Sequence, residues 1–128
     1  MYIYDDGGRK AAGYKGDAGD CGARALAIAH PMDYKEAYKL LAQANKDFGF
    51  SKSARNGIMK EVYESVLNTL GYEWCKAPKF EGRKARPRDL EGTVIARQAG
   101  HYVAVFEGGV FDTWDSSRRM VYGYWKKV

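Results

Sequence analysis

Three residue types in this chain could together form an acyl-transfer centre: a cysteine heading a helix, a histidine heading a strand, and an aspartate on the strand that follows. The cysteine is Cys21, in Gly19-Asp20-Cys21-Gly22-Ala23-Arg24-Ala25-Leu26-Ala27-Ile28-Ala29, where a glycine-rich run becomes an alanine-rich helix. A thiol nucleophile needs a base to take its proton, and usually a third group to orient that base. The chain has two histidines. His30 stands at the far end of the same helix, roughly 13 Å from Cys21 at 1.5 Å per residue, and cannot serve. His101, just after Gly100, opens an apolar strand from which its ring can reach a helix packed on the sheet. Cysteine is among the most buried residue types, so Cys21 alone reads as packing. The Asp-Cys-Gly context, His101 and an acid at hairpin spacing shift the balance toward a nucleophile. The alternative for His101 is a core histidine, and Cys75 reads as strand packing.

The hairpin ranks the acids. Gly108-Gly109 marks a turn between Tyr102–Phe106 and Val110–Trp114. If Glu107-Gly108-Gly109 is a three-residue loop, Phe106 pairs with Val110, and subtraction puts His101 opposite Asp115 with Cβ atoms ~5 Å apart. Asp112 then lies opposite Ala104, about 10 Å along the strand at ~3.3 Å per residue. A two-residue Gly-Gly loop shifts the register by one, sets Ser116 opposite His101 and turns Asp115 to the other face. Asp115 is therefore the first choice and Asp112 the second, with strand twist or a bulge able to reverse them.

The elements that must position these residues follow from periodicity. A short strand fits Tyr2–Tyr4, and glycines 7, 8, 13, 16, 19 and 22 make the rest of the opening segment irregular. Asp20 reads as the N-cap of a helix running from Cys21 to about Ala29, apolar almost all round and so expected to be buried. Arg24 is its charged exception, either a surface residue or a partner for Asp17, Asp20 or a substrate carboxylate. His30-Pro31 closes it. A second helix fits Tyr34 to about Asp47, with Ala37, Leu40, Leu41 and Ala44 on one face, stopped by Gly49. A third fits Asn56 to Leu70, capped by Asn56 and followed by Gly71 at C′. Tyr72–Cys75 then suggests a strand and Pro87-Arg88-Asp89-Leu90 a helical turn. Strands are expected at Thr93–Arg97, Tyr102–Phe106, Val110–Trp114 and Met120–Trp125. Helices first and an antiparallel meander after give a single α+β domain over residues 1–128.

Composition narrows the class. An apolar content of 45% and an aromatic content of 14% suit one globular core. Apolar runs fall far short of the about 20 residues a membrane helix needs, so no membrane partner is expected. The N-terminus MYIYDDGGRK has no secretory apolar region. Two cysteines make no disulfide framework, which points to the reducing cytoplasm. The cysteines and histidines show no metal-ligand spacing, and neither metal nor cofactor is expected. The net charge of +5 is partly concentrated in residues 76–88, with six basic side chains against Glu81. That segment reads first as a solvated loop and second as a surface for nucleic acid or an acidic partner. Tyr122, Tyr124 and Trp125 mix both faces of a last strand and read as core and edge, not as a stacking platform.

Asp20-Cys21-Gly22-Ala23 before an apolar helix resembles the DCG motif of bacteriocin-processing peptidases, the papain-like domains attached to ABC exporters. Gly100-His101-Tyr102-Val103-Ala104-Val105 resembles their histidine motif, and Phe111-Asp112-Thr113-Trp114-Asp115 the strand carrying their aspartate. The pattern is closer still to small cysteine-peptidase-like proteins of tailed phages, which pair a DC-x-x-RA helix with a late H…DG…DTWD hairpin. The likeness covers about residues 15–30 and 93–116. It implies a papain-like fold and a thiol hydrolase, a peptidase or isopeptidase acting on a peptide or protein, in the host cytoplasm if phage-encoded. Cys21 would attack the carbonyl, favoured as thiolate by the helix dipole and a neighbouring imidazolium. His101 would protonate the leaving group, and Asp115 or Asp112 would fix its tautomer. The peptidases keep a glutamine for the oxyanion hole six residues before the cysteine, where this chain has Lys15. A lysine ammonium can donate to an oxyanion, so Lys15, with Asp20 beside the cysteine, is a candidate oxyanion or substrate-binding residue. Two other functions suit the same residues: acyl transfer or deamidation on the same fold, and an inactive basic binding module using residues 76–88. Neither substrate nor oligomeric state is legible.

Overall fold

Four alanines in nine residues make the first helix, α1 (Cys21–Ala29), thin enough to lie close on a sheet. Ala23, Ala25 and Leu26 are all but fully buried there. Gly22 matters for the same reason: a Cβ at this position would stand 3.0 Å from the ring of Tyr63, whose hydroxyl donates to the Gly22 carbonyl at 2.9 Å. The computed structural model describes residues 1–14, 19–50 and 57–128.

The second helix, α2 (Tyr34–Asp47), runs over the expected residues, and Asp33 caps it by accepting from the Glu36 N–H at 2.9 Å. The third, α3 (Lys60–Thr69), starts later than its apolar period suggests. Met59 holds an extended conformation at its N-cap, which leaves Ile58 buried ahead of the helix. The expected cap, Asn56, lies outside the described residues. Gly71 takes a φ of +90° and donates to Asn68 O, closing the C-terminus as a C′ glycine does.

Three helices pack on one six-stranded sheet, so the chain is a mixed α+β fold. The strands are β1 (Tyr2–Tyr4), β2 (Tyr72–Lys76), β3 (Thr93–Gln98), β4 (His101–Phe106), β5 (Gly109–Asp112) and β6 (Gly123–Lys127), with a single 3-10 turn at Pro87–Asp89. Their order across the sheet is β1-β5-β4-β3-β6-β2. Two features correct the sequence expectation of an antiparallel meander. Strand β1 pairs parallel with β5, Tyr2 against Val110, the long helical segment between them supplying the connection a parallel pair requires. Strand β6 does not continue beside β5 but returns to the far side of β3, Ile95 opposite Trp125, and β2 closes that edge. β6 also begins later than expected, because residues 113–122 form a loop held in place by Gln98. The buried Gln98 amide donates to Ser116 O at 3.0 Å and to Arg119 O at 3.3 Å.

Alternation along the strands builds a core on each face of the sheet. Ile95, Tyr102, Ala104 and Trp125 join the helices in one cluster. Val94, Ala96, Val103, Val105 and Val110 join Leu90 and Val121 in the other. The first cluster centres on stacked Tyr63 and Tyr102 rings, 4.1 Å between centroids, with Trp125 packed against both.

The β4–β5 hairpin sets the register on which the site depends. Phe106 pairs with Gly109, so the loop is Glu107-Gly108, with φ values of +47° and +81°. Two positive φ values in a two-residue loop define a type I′ turn. A Cβ on Gly108 would also stand 3.2 Å from the Arg88 carbonyl oxygen. Gly108→Ala is expected to destabilise the protein by about 1–2 kcal/mol, read as a lower urea midpoint at unchanged slope.

Candidate active site

The short turn moves the hairpin one residue away from the register that favours Asp115, and that step decides the acid. With Ala104 opposite Phe111, the next pair inward is Val103 with Asp112, which puts Asp112 diagonal to His101 on the same face of the ribbon. His101 Nε2 lies 2.6 Å from Asp112 Oδ2, both side chains buried. Asp115 is corrected accordingly. It lies exposed past the end of β5, where its Oδ1 accepts from the Ser117 N–H at 2.9 Å. A three-residue loop would have reversed the two.

Asp112 is held from several sides. Its Oδ1 accepts from the Thr113 N–H at 2.7 Å, and Arg24 Nη2 stands 3.4 Å from the same oxygen. Strand β1 grips its backbone, the Asp5 N–H and the Tyr2 hydroxyl both donating to Asp112 O. With Nε2 occupied by the carboxylate, Nδ1 is the ring nitrogen left for Cys21, which lines the same cleft as the ring. Burial pushes the imidazolium toward losing its proton, but the hydrogen bonds to Asp112 and Cys21 outweigh it and raise the His101 pKa to about 9. The indole of Trp114 covers the imidazole, ring centroids 4.6 Å apart. A buried thiol, a base fixed by a carboxylate and a helix N-terminus behind the sulfur are together what nucleophilic acyl chemistry requires.

The other candidate residues fall differently. Asp20 stands at the N-cap position, but its carboxylate makes no cap hydrogen bond and Asp20 is not among the residues that line the cleft past Cys21. It is 1% exposed and sits among Arg9, Arg24 and Tyr34: Arg9 Nε is 2.9 Å from Oδ2, and Arg24 and the Tyr34 hydroxyl each hydrogen-bond it closely. Two arginines in reach outbid the backbone N–H groups that a cap would serve, so Asp20 is a structural anion and not a substrate ligand. Arg24 thereby links Asp20 to Asp112. Lys15 lies outside the described residues. His30 packs edge-on against Tyr72 at the far end of α1, its Nδ1 3.1 Å from the Tyr72 hydroxyl. Cys75 is half-buried on β2 opposite Tyr124.

An open cleft of about 350 Å³ runs past Cys21 and His101, walled by Ile58, Lys60, Arg97, Tyr102 and Trp114 among others. Two lining residues were not among the candidates expected from the sequence: Trp114, whose place two residues after Asp112 was a usable signal, and Tyr102, whose hydroxyl donates to Ile58 O at 2.6 Å and fixes that wall. The basic segment is partly self-neutralised: Arg83 makes a two-pronged ion pair with Asp89, at 2.8 and 2.9 Å, which holds the Asp89 pKa down to about 2. Among the described residues no cluster of three or more His, Cys, Asp or Glu could hold a metal ion, and no helix is long and apolar enough to cross a membrane. No protein-family profile, curated protein or solved structure matches the chain.

The geometry makes a pH statement. A histidine whose pKa rises on folding, here from an ordinary ~6.5 to about 9, adds stability that is complete below the lower value and lost as pH climbs through the higher. By NMR, Asp112→Ala should move the His101 midpoint down by a unit or more, whereas Asp115→Ala should leave it near 9. Removing Asp20 would take a buried carboxylate away from both Arg9 and Arg24, so Asp20→Ala should cost about 3 kcal/mol in a urea titration.

Proposed function

We propose that this protein is a thiol hydrolase of papain-like type, a peptidase or isopeptidase, with Cys21 as nucleophile, His101 as general base and acid, and Asp112 as the residue that orients His101. The observation that carries it is the buried imidazole of His101, hydrogen-bonded through Nε2 to Asp112 and lining one cleft with Cys21 at the start of α1. A core histidine satisfied by packing alone has no need of both.

In the proposed reaction the Cys21 thiol gives its proton to His101, and the sulfur bonds to the substrate carbonyl carbon. Backbone N–H groups of the first turn of α1, which have no intrahelical partner, face the developing oxyanion. As the tetrahedral centre collapses, the C–N bond breaks and the leaving nitrogen takes the proton from His101. Water then bonds to the acyl carbon as His101 takes one of its protons, the C–S bond breaks, and the carboxylic acid leaves while His101 returns the proton to the sulfur. Asp112 keeps the ring in one orientation and stabilises its charged form throughout, without itself taking the proton. Arg24 serves as a positioning residue, tying Asp112 to α1 and so the base to the helix that carries the nucleophile.

Alkylation by iodoacetamide tests the assignment without knowledge of the substrate. Below pH 7, Cys21 should label selectively over Cys75, followed by peptide mass mapping, and His101→Ala should shift that reactivity to higher pH. Hydrolysis of p-nitrophenyl acetate should be lost in Cys21→Ser and should fall by about 10²–10⁴ in His101→Ala. Labelling of Cys21 no faster than of an ordinary thiol, or only after unfolding, would overturn the proposal.

A further inference from the structure

Two cations on the walls of the Cys21 cleft are paired with no carboxylate among the described residues. Among its described lining residues are Arg24, Lys60, Arg97 and His101, with no aspartate or glutamate. Two of these charges are already met: Arg24 by Asp20 and Asp112, and His101 by Asp112. Lys60 and Arg97 are different. Lys60 Nζ stands 4.2 Å above the Trp74 ring, and the Arg97 guanidinium lies 5.8 Å from the Tyr102 ring, with Nη1 3.4 Å from the Tyr102 hydroxyl. Neither forms a salt bridge among the described residues. Glu61, whose charge is felt at Tyr102, is exposed on α3 and does not line the cleft. An aromatic face holds a cation in position without cancelling its charge. In a concave site between low-dielectric walls, two such charges concentrate anions at the thiol.

We infer that the cleft selects a substrate bearing a carboxylate next to the scissile acyl group, an acidic peptide or isopeptide, with Lys60 and Arg97 as the specificity residues. This inference rests on the thiol-hydrolase proposal and names its substrate class. Nucleic acid is disfavoured as occupant because the unpaired cations of the cleft are two side chains at one local site with Cys21, whereas a phosphate backbone is tracked by a basic groove several nucleotides long.

The test compares iodoacetate with iodoacetamide, which differ by a carboxylate, as alkylators of Cys21. The rate ratio is read, so a general change in thiol reactivity cancels. A charge ~8 Å from the reagent in a cleft open to water changes that ratio by about twofold. Lys60→Gln and Arg97→Gln should each lower it by about that factor and the double variant by about fourfold, while Lys60→Arg and Arg97→Lys retain it. On the unaltered protein, an oligoglutamate peptide should slow iodoacetamide labelling of Cys21 and an oligoglutamine peptide should not, which needs no variant to fold. A ratio unmoved in the double variant, with Cys21 still the faster thiol toward iodoacetamide, would overturn the acid preference alone. Cys21 no faster than Cys75 toward either reagent would remove the hydrolase proposal and this inference with it. Protection by a single-stranded oligothymidylate in place of the acidic peptide would reassign the cations to nucleic acid and overturn it too.

Discussion

The hydrogen bond between His101 and Asp112 depends on the length of one turn. A hairpin has a period of two, so adding or removing one loop residue moves every side chain of a strand to the other face. The turn here uses two residues, and the cost is visible: Glu107 holds a positive φ that a non-glycine residue adopts only with strain. Gly108 carries the second positive φ and also lets the turn approach the Arg88 backbone. Local conformational chemistry at the tip therefore reaches the far end of the ribbon, where it selects the carboxylate that meets the imidazole. The parallel strand β1 reinforces the choice by fixing the backbone of Asp112 from the other side.

A second constraint joins the two halves of the site. Cys21 belongs to a helix in the first quarter of the chain and His101 to a strand in the last, and a sheet register alone cannot hold one against the other. Small residues bring α1 close to the sheet, and Gly22 admits the Tyr63 ring that stacks on Tyr102, the neighbour of His101. Arg24 then spans the gap, one side of its guanidinium on Asp20 and the other on Asp112. Burying this ionic group is costly unless its charges are matched, and the two carboxylates facing Arg9 and Arg24 make the match. Taking the network apart would leave uncompensated charge beside the imidazole, so its gain is better described as alignment than as net stability.

The same economy explains the cleft. The ions that align the site, Asp20, Arg24 and Asp112, are paired and buried, whereas Lys60 and Arg97 rest against aromatic rings at its walls and form no salt bridge among the described residues.

The sequence by itself determined most of the local elements and singled out Cys21 and His101, which the structure brings to one cleft. Helices α1 and α2 run where periodicity and the His30-Pro31 step place them, since these signals act within one or two turns of chain. Cys21 and His101 were legible because each stands at the start of an element with a strong local signature, and His30 was excluded by helix geometry alone. What the sequence left open depended on relations between distant segments. Asp112 over Asp115 followed from a Glu107-Gly108 turn, one residue shorter than the three-residue loop that favoured Asp115. The parallel docking of β1, the return of β6 to β3 and the use of Asp20 as a buried anion instead of a cap all required partners far away in sequence. Local rules encode the backbone path over a few residues, but which side chains meet across the fold is a property of packing, and only the tertiary structure decides it.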